Sequence, residues 1–195
     1  MTPTKPKDAA DVARRCLCLE LLVQRLGLEV DDGEPKESLE AVRKSWLRAA
    51  TDLELEPVLL ADERGYLERE VGSLEEDERD DVHGRVTAAL VLLWALGKLP
   101  ARPELADVQD ALDRITTAGL LGDGSVSAAK ATILSAKLRP VGDLRAAYAA
   151  YTQARGKMTD DDTPEQIVGN LGSRTLAWVL DREQPYDDDY VMAAL

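Results

Sequence analysis

The chain has 195 residues, which is enough for one domain or two small ones. It carries 37 Asp and Glu residues against 24 Lys and Arg residues, and the net charge is -13. DNA, RNA and anionic membranes are polyanions, so this charge argues against all three as partners and permits a basic protein partner. The composition does not indicate an oligomeric state.

The composition also predicts an all-α fold. Leu, Ala, Glu and Arg dominate the chain, runs of β-branched residues are missing and Phe is absent. We expect a single compact all-α domain of about eight helices over residues 8–184, with a core of Leu, Val, Ala and three Trp residues. A flexible N-terminal arm of residues 1–7 and an acidic C-terminal tail of residues 185–195 would flank this domain.

The first predicted helix runs from Asp8 to Leu26, because apolar residues recur there at steps of three and four. Gly27 is placed to end it. Cys16 and Cys18 lie two residues apart on this helix and project in different directions, so we expect buried structural thiols and no disulfide between them. A lone pair of this kind, without distant Cys or His residues, is a poor signal for a metal site.

Two further helices are predicted before the middle of the chain. The second runs from Pro35 to Leu53 and carries an apolar stripe that includes Trp46. The third runs from Glu63 to Val71, with Asp62 as its N-cap.

The fourth predicted helix is the centre of the fold. Its segment Val86–Gly97 is apolar on every side except at Thr87. A helix that is apolar all round must be buried on all sides. We expect it to start near Val82, to have Gly97 as its C′ residue and to be prevented from continuing by Pro100.

Four more helices are predicted in the second half of the chain. The fifth opens at Pro103, the sixth is capped by Ser125 or Ser127 and runs through Leu138, and the seventh runs from Asp143 to Arg155. The eighth has the strongest start signal: Thr163 as N-cap, Pro164 as the first helical residue and Gln166 in the third position form a capping box.

Three segments together resemble those of a known bacterial family. The segments are Arg14–Leu19, Ala89–Gly97 and Ser173–Leu180, and the acidic run 186–189 follows the third. Their order and spacing resemble the family called domain of unknown function 4272, over nearly the whole chain. Departures at His83, Gly84, Arg85 and Tyr186 indicate a divergent member. The resemblance implies an all-α single domain, and it implies no activity and no site residues.

Charge is gathered against the predicted core at one place, the approach to the central helix. The acidic run Glu75–Asp81 is followed by His83 and Arg85. A solvated turn and a first helical turn explain the carboxylates, which suit the positive end of a helix dipole. His83 is either a surface or capping residue, or a general base or metal ligand oriented by a carboxylate. Because it is the only histidine, we expect no zinc site built from several histidines, and no sequence motif indicates a metal or a cofactor.

Two arginines lie in or beside apolar helices, where an unpaired charge is costly. Arg85 and Arg174 are therefore expected either to pair with carboxylates or to reach solvent by snorkelling. For Arg174 the tail aspartates 187–189 are the candidate partners. The complete set of candidate binding residues is Glu75, Glu76, Asp80, Asp81, His83, Arg85 and Arg174.

The leading functional hypothesis is a non-enzymatic, acidic interaction module that binds a basic protein, as an immunity or inhibitor protein does. The alternative is an enzyme, or a small-ligand or metal-binding protein, with a carboxylate-lined pocket near His83 and Arg85. A mimic of nucleic acid is a third reading. The charged residues after Lys7 do not fit a signal peptide, and no segment reaches membrane-spanning length, so the expected location is the cytoplasm.

Overall fold

The computed structural model describes residues 6–30, 33–104, 111–121, 125–156 and 163–180. Within these ranges the chain is helical and contains no strand, which confirms the predicted all-α class. The eight helices are α1 (Ala9–Val30), α2 (Lys36–Asp52), α3 (Ala61–Glu68), α4 (Glu76–Ala95), α5 (Ala111–Ala118), α6 (Val126–Ser135), α7 (Val141–Arg155) and α8 (Pro164–Val179). Most of the predicted arm and all of the predicted tail lie outside the described residues. Lys7, at the end of the arm, donates its backbone N–H to Val179 O at 2.9 Å.

The core is centred on α4, as predicted, but α1 shares that position. Every residue from Val86 to Leu96 is buried, and α4 packs against α1, α5 and α8. Helix α1 is buried from Arg15 to Val23 and contacts α2, α3, α4, α5 and α6. Since α1 contains charged residues, its sequence predicted an amphipathic helix on the outside of α4. Those charges are instead buried with partners, as described below.

The end of α4 confirms the prediction for Gly97. Gly97 has φ +74°, its N–H donates to Trp94 O, and the N–H of Lys98 donates to Leu93 O. These two hydrogen bonds form a Schellman motif, which satisfies carbonyls that the helix itself leaves unpaired. The Arg139 side chain adds a hydrogen bond to Trp94 O at 2.7 Å and stacks over the Trp94 ring.

Several predicted helix ends were wrong. Gly27 does not end α1, which continues to Val30 because Leu28 is buried against the second apolar cluster with Leu39 and Val71. Asp62 does not cap α3, since Leu60 is the N-cap residue and the Glu63 carboxylate accepts its N–H at 3.0 Å.

Of the other predicted helix boundaries, two were wrong and two caps are confirmed. Helix α4 starts six residues before Val82, at Glu76, and α6 stops at Ser135, short of Leu138. The predicted caps at Ser125 and Thr163 are confirmed, as is the capping box with Gln166. Residues 105–110 of the predicted fifth helix lie outside the described residues.

Helices α7 and α8 form the closest packed pair, and two glycines of α8 make this possible. A Cβ atom added at Gly169 would lie 2.6 Å from the backbone N of Arg155. A Cβ atom at Gly172 would lie 2.8 Å from the Tyr151 ring. Tyr151 is itself buried and donates its hydroxyl hydrogen to Pro103 O at 2.7 Å.

Gly169→Ala is therefore expected to lower the free energy of unfolding by about 1–3 kcal/mol, because the new methyl group forces the two helix backbones apart. Gly142→Ala is the matched control. Gly142 lies in α7 and is exposed, and a Cβ atom added there would meet no atom within 4 Å, so alanine is expected to stabilise by about 0.4–1 kcal/mol. Urea denaturation of both variants measures the difference. Equal effects at the two positions would contradict the close packing.

Both cysteines are free and buried, which confirms the expectation of structural thiols. Burial raises the pKa of the Cys18 thiol to about 12. Burial, followed by the nearby Glu20 carboxylate, raises the pKa of Cys16 well above its usual value. Neither thiol is expected to react as a thiolate at neutral pH. Among the described helices, none is long and apolar enough to cross a membrane.

Candidate functional site

Two of the predicted residues, Asp81 and Arg85, belong to a buried charged cluster at the junction of α1, α3 and α4. We call it the buried charge cluster, and its members are Arg15, Asp62, Glu63, Asp81 and Arg85. Helix α1 supplies Arg15, the first turn of α3 supplies the next two residues, and α4 supplies the last two, one helical turn apart. The side chains of four members are less than a tenth exposed, and that of Asp62 is 36% exposed.

Glu63 lies at the centre of this cluster. Its side chain is fully buried, and its two carboxylate oxygens accept hydrogen bonds from Arg15 Nη1 and Nη2 at 2.5 Å and 2.6 Å. This bidentate geometry is the strongest arrangement that an arginine and a carboxylate can make. The same carboxylate lies 3.3 Å from Arg85 Nε. Glu63 thus neutralises charge from two different helices while it also caps α3.

Arg85 makes ion pairs with three carboxylates, those of Asp62, Glu63 and Asp81. This confirms the expectation that Arg85 pairs with carboxylates. Burial favours the neutral guanidine, but the hydrogen bond from Arg85 to Asp81 and the three negative charges outweigh burial and raise the pKa of Arg85. The guanidinium also lies 5.7 Å from the centre of the Tyr66 ring.

Tyr66 completes the cluster on its α3 side. Its hydroxyl group donates a hydrogen bond to Asp81 at 2.8 Å. Burial, the hydrogen bond to Asp81 and the charge of Asp81 raise the pKa of Tyr66. The phenol therefore stays protonated, and Asp81 is shared between a neutral donor and a cationic one.

Direct partners occupy the charged groups of this cluster, so its chemistry is that of a structural ion-pair network. A buried pair is expensive to break, because the remaining charge is left in a medium of low dielectric constant. The alternative hypothesis placed a carboxylate-lined pocket near His83 and Arg85. In the structure Arg85 is buried among ion pairs and His83 is exposed, and the pocket stays a prediction. Within the described ranges, no group of three or more His, Cys, Asp or Glu side chains is arranged to hold a metal ion.

The other predicted acidic residues lie on the outside. Glu75, Glu76 and Asp80 are exposed, as is Asp77 between them, and we call these four residues the α4 acidic surface. None of the four is in an ion pair with another described residue, whereas Glu78 pairs with Arg69. Helix α4 thus separates its charges: Asp81 and Arg85 face the core and the four carboxylates lie at the surface.

A family model described as Domain of unknown function (DUF4272) matches residues 2–189. The chain belongs to this family. Searches of curated proteins and of solved structures find no significant match. The fold described above is that of a member of this family.

The segments that carry the DUF4272 resemblance have clear structural roles. The stretch Ala89–Gly97 is the buried half of α4 with its Schellman end. Arg14–Leu19 lies in α1, which packs against α4 and is buried from Arg15 to Val23. The third segment, Ser173–Leu180, is the second half of α8. Arg174 is half-buried there, and the tail aspartates proposed as its partners lie outside the described residues.

Two further arginines of this DUF4272 chain hold the C-terminal end of α3. Arg25 donates to the carbonyl oxygens of Tyr66, Arg69 and Glu70, and it pairs with Glu29. Arg43 donates to the carbonyl oxygens of Leu67 and Glu68, and it pairs with Glu40. The last carbonyls of a helix lack partners within the helix, so these side chains serve as its cap.

Glu40 and Glu29 extend this cap to the next turn of the chain. Glu40 accepts the backbone N–H of Val71 at 2.5 Å, and Glu29 accepts that of Gly72 at 2.9 Å. Hydrogen bonds from Arg43 and Val71 lower the pKa of Glu40 to about 2. The region after α3 is thus fixed by side chains from α1 and α2.

Glu20 of α1 is a buried carboxylate without an arginine. It accepts hydrogen bonds from the backbone N–H groups of Leu120 at 2.9 Å and Leu121 at 3.2 Å, and from the Cys16 thiol. Burial raises the pKa of Glu20 to about 7, even though these hydrogen bonds favour the ionised form. Gly119 allows the close approach, since a Cβ atom there would lie 2.9 Å from Glu20 Oε2.

Most of these partners were not predicted from the sequence. Asp62 was expected as a cap, and Arg15, Glu20, Arg25 and Glu63 were not selected as candidate residues. One signal was available: in α1 these charged residues recur among apolar residues every five positions, at 15, 20 and 25. That spacing puts charges on several sides of a helix, so some of them must lie against the core.

Proposed function

We propose that this protein is a non-enzymatic interaction module that binds a basic protein partner through the α4 acidic surface. The observation that supports the proposal is the separation of charge along α4. The ionisable groups nearest the core form ion pairs with one another. The carboxylates of the α4 acidic surface, Glu75, Glu76, Asp77 and Asp80, are exposed and are not in ion pairs within the described structure. The net charge of -13 adds a long-range field of the same sign.

The position of this surface favours recognition of another protein. Glu75 is the N-cap of α4, and the other three carboxylates lie on its first two turns. The other half of this helix is fixed in the core, so the four groups are presented without a large cost in ordering. Opposite charges on a partner would accelerate association and select against acidic competitors. An immunity or inhibitor protein that blocks a basic protein is the type of role that fits this arrangement.

The test is a comparison of two charge-matched variants in a pull-down from lysate of the source organism, followed by affinity measurement on the captured protein. The first variant removes the α4 acidic surface, and its changes are Glu75→Gln, Glu76→Gln, Asp77→Asn and Asp80→Asn. The second removes four exposed carboxylates elsewhere, and its changes are Glu34→Gln, Glu37→Gln, Asp52→Asn and Glu56→Gln. Both variants have the same net charge.

The α4 variant is expected to lose at least about tenfold in affinity, and the control variant much less, because only close charge pairs escape screening. Binding by the unchanged protein should also weaken when the ionic strength is raised to about 1 M, where the Debye length is about 3 Å. Equal losses of affinity in the two variants would contradict a role for this surface. Binding of the captured protein that does not weaken with increasing salt would also contradict it.

A further inference from the structure

A pocket on another part of the molecule has the opposite charge to the rest of the protein. It lies where the C-terminal ends of α4 and α6 meet α1, and its volume is about 240 Å³. The described residues that line it are Ala13, Leu96, Lys98, Leu120, Thr132, Ser135, Ala136 and Lys137. We call it the two-lysine pocket. Among the described residues, none that lines this pocket is acidic, although the chain has 37 Asp and Glu residues.

We propose that the two-lysine pocket binds a small organic monocarboxylate with a short apolar body. The two lysines supply the charge: both are exposed at the pocket, and neither is within ion-pair distance of a described carboxylate. Lys98 also feels the charge of Glu20, which is buried behind Leu120, whereas Lys137 has no such neighbour among the interactions of Glu20. The buried side chains of Ala13, Leu96 and Leu120 supply an apolar wall for the body of the ligand. This site is separate from the α4 acidic surface and does not depend on the proposed function.

The hydrogen-bonding groups of the pocket show why the lysines must carry recognition. Thr132 donates its hydroxyl hydrogen to Ala128 O at 3.0 Å, and Ser135 donates to Ala131 O at 2.8 Å. These two hydroxyl groups are therefore already used as donors. The ammonium groups of Lys98 and Lys137 are the remaining side-chain donors in the lining, and each offers three N–H bonds.

The C-terminal ends of α4 and α6, which border the two-lysine pocket, influence which anion the pocket can bind. The C-terminal end of a helix carries partial negative charge, which disfavours a multiply charged anion. At α4 this charge is reduced, because Arg139 donates hydrogen bonds to Trp94 O and Leu99 O. In the described part of the lining there is neither a helix N-terminus nor an arginine fork, which are the usual features of phosphate sites. A singly charged carboxylate therefore fits better than a phosphate.

The volume limits the size of the ligand. A cavity of about 150 Å³ holds benzene, which has six heavy atoms, so a pocket of this size suits a ligand of roughly ten. Hexanoate meets this limit and is the probe. Hexanamide has the same shape without the charge, and inorganic phosphate has charge without the apolar body.

The experiment is a titration of the ¹⁵N-labelled full chain followed by NMR. Hexanoate is expected to bind saturably, with chemical-shift changes concentrated at Leu96–Lys98, at Leu120 and at Thr132–Lys137, and at least about tenfold more tightly than hexanamide or phosphate. The double variant Lys98→Gln, Lys137→Gln should weaken hexanoate binding about tenfold. Lys130→Gln, an exposed lysine of α6 outside the lining, is the matched control and should leave binding unchanged.

A filling variant tests the pocket independently of charge. Ala136→Leu places a larger side chain in the lining and should abolish hexanoate binding while both lysines remain. Equal affinity for hexanoate and hexanamide, tighter binding of phosphate, shift changes elsewhere on the molecule, or no saturation in the millimolar range would each overturn the proposal.

Discussion

Replacing Glu63 by alanine is expected to lower the free energy of unfolding by about 3–5 kcal/mol. The carboxylate is fully buried between Arg15 and Arg85, so its removal leaves two guanidinium groups in the core with fewer negative partners. The backbone N–H of Leu60 loses its acceptor at the same time. Chemical denaturation followed by circular dichroism measures the loss, which is a large part of the stability of a typical domain.

Two further variants separate the burial of charge from the loss of side-chain volume. Glu68→Ala, at the exposed end of the same helix, should change stability by no more than about 0.5 kcal/mol. The double variant Arg15→Met, Glu63→Leu replaces the ion pair by apolar groups and should recover at least half of the loss. If the double variant is as unstable as Glu63→Ala, unpaired charge is not the cause.

Between pH 4.5 and about 7, the Glu20 carboxyl is expected to make the protein less stable as the pH rises. In the unfolded chain this group releases its proton near pH 4.5, whereas burial keeps it protonated in the folded chain up to about pH 7. The folded state therefore binds more protons over this interval, and the free energy of unfolding falls with increasing pH. The interval corresponds to about 3 kcal/mol.

Glu20→Gln removes this titration and keeps an oxygen that can accept the N–H of Leu120. The stability of the variant relative to the unchanged protein should rise by about 3 kcal/mol from pH 4.5 to above pH 7. Denaturant midpoints measured across this range give the comparison, and Glu37→Gln, an exposed glutamate of α2, controls for the change in net charge. A constant difference between Glu20→Gln and the unchanged protein across the range would show that folding does not raise the pKa of Glu20.

A second carboxylate contact does not confuse this measurement, because it acts at lower pH. The pKa of Glu40 is lowered to about 2 by Arg43 and by the N–H of Val71. Its stabilising contribution is therefore present above pH 4.5 and is lost as the pH falls towards 2. The two carboxyl groups have opposite signs and separate pH ranges.

Much of the fold was predictable because it rests on local signals. The all-round apolar segment of α4 has no alternative to burial, and Gly97 and the Thr163–Gln166 capping box act through their own neighbours in sequence. Helix ends that depend on distant contacts were not predictable. Gly27 is an ordinary stop signal, and it is overridden because Leu28 finds Leu39 and Val71 in another part of the chain.

The buried charge cluster was only partly predictable for the same reason. An arginine in an apolar helix is expected to form an ion pair, so the pairing of Arg85 was predictable. Its partner Asp81 lies one helical turn earlier in the sequence. Glu63 and Arg15 are joined across 48 positions, and no local pattern distinguishes them from exposed charges on amphipathic helices. The proposed α4 acidic surface remains a prediction drawn from local charge, and binding measurements are needed to test it.

The arginines around α3 determine how this domain can open. Helix α3 has eight residues, fewer than the roughly 12–15 that an isolated helix needs to persist in water. Arg15 and Arg85 hold its first turn, and Arg25 and Arg43 hold its last carbonyls. Detachment of α3 alone would separate Arg15 from Glu63 and would remove hydrogen-bond acceptors or carboxylates from Arg85, Arg25 and Arg43. We therefore expect that α3 does not unfold as a separate local unit. This short helix is thereby joined to α1, α2 and α4 in one cooperative transition.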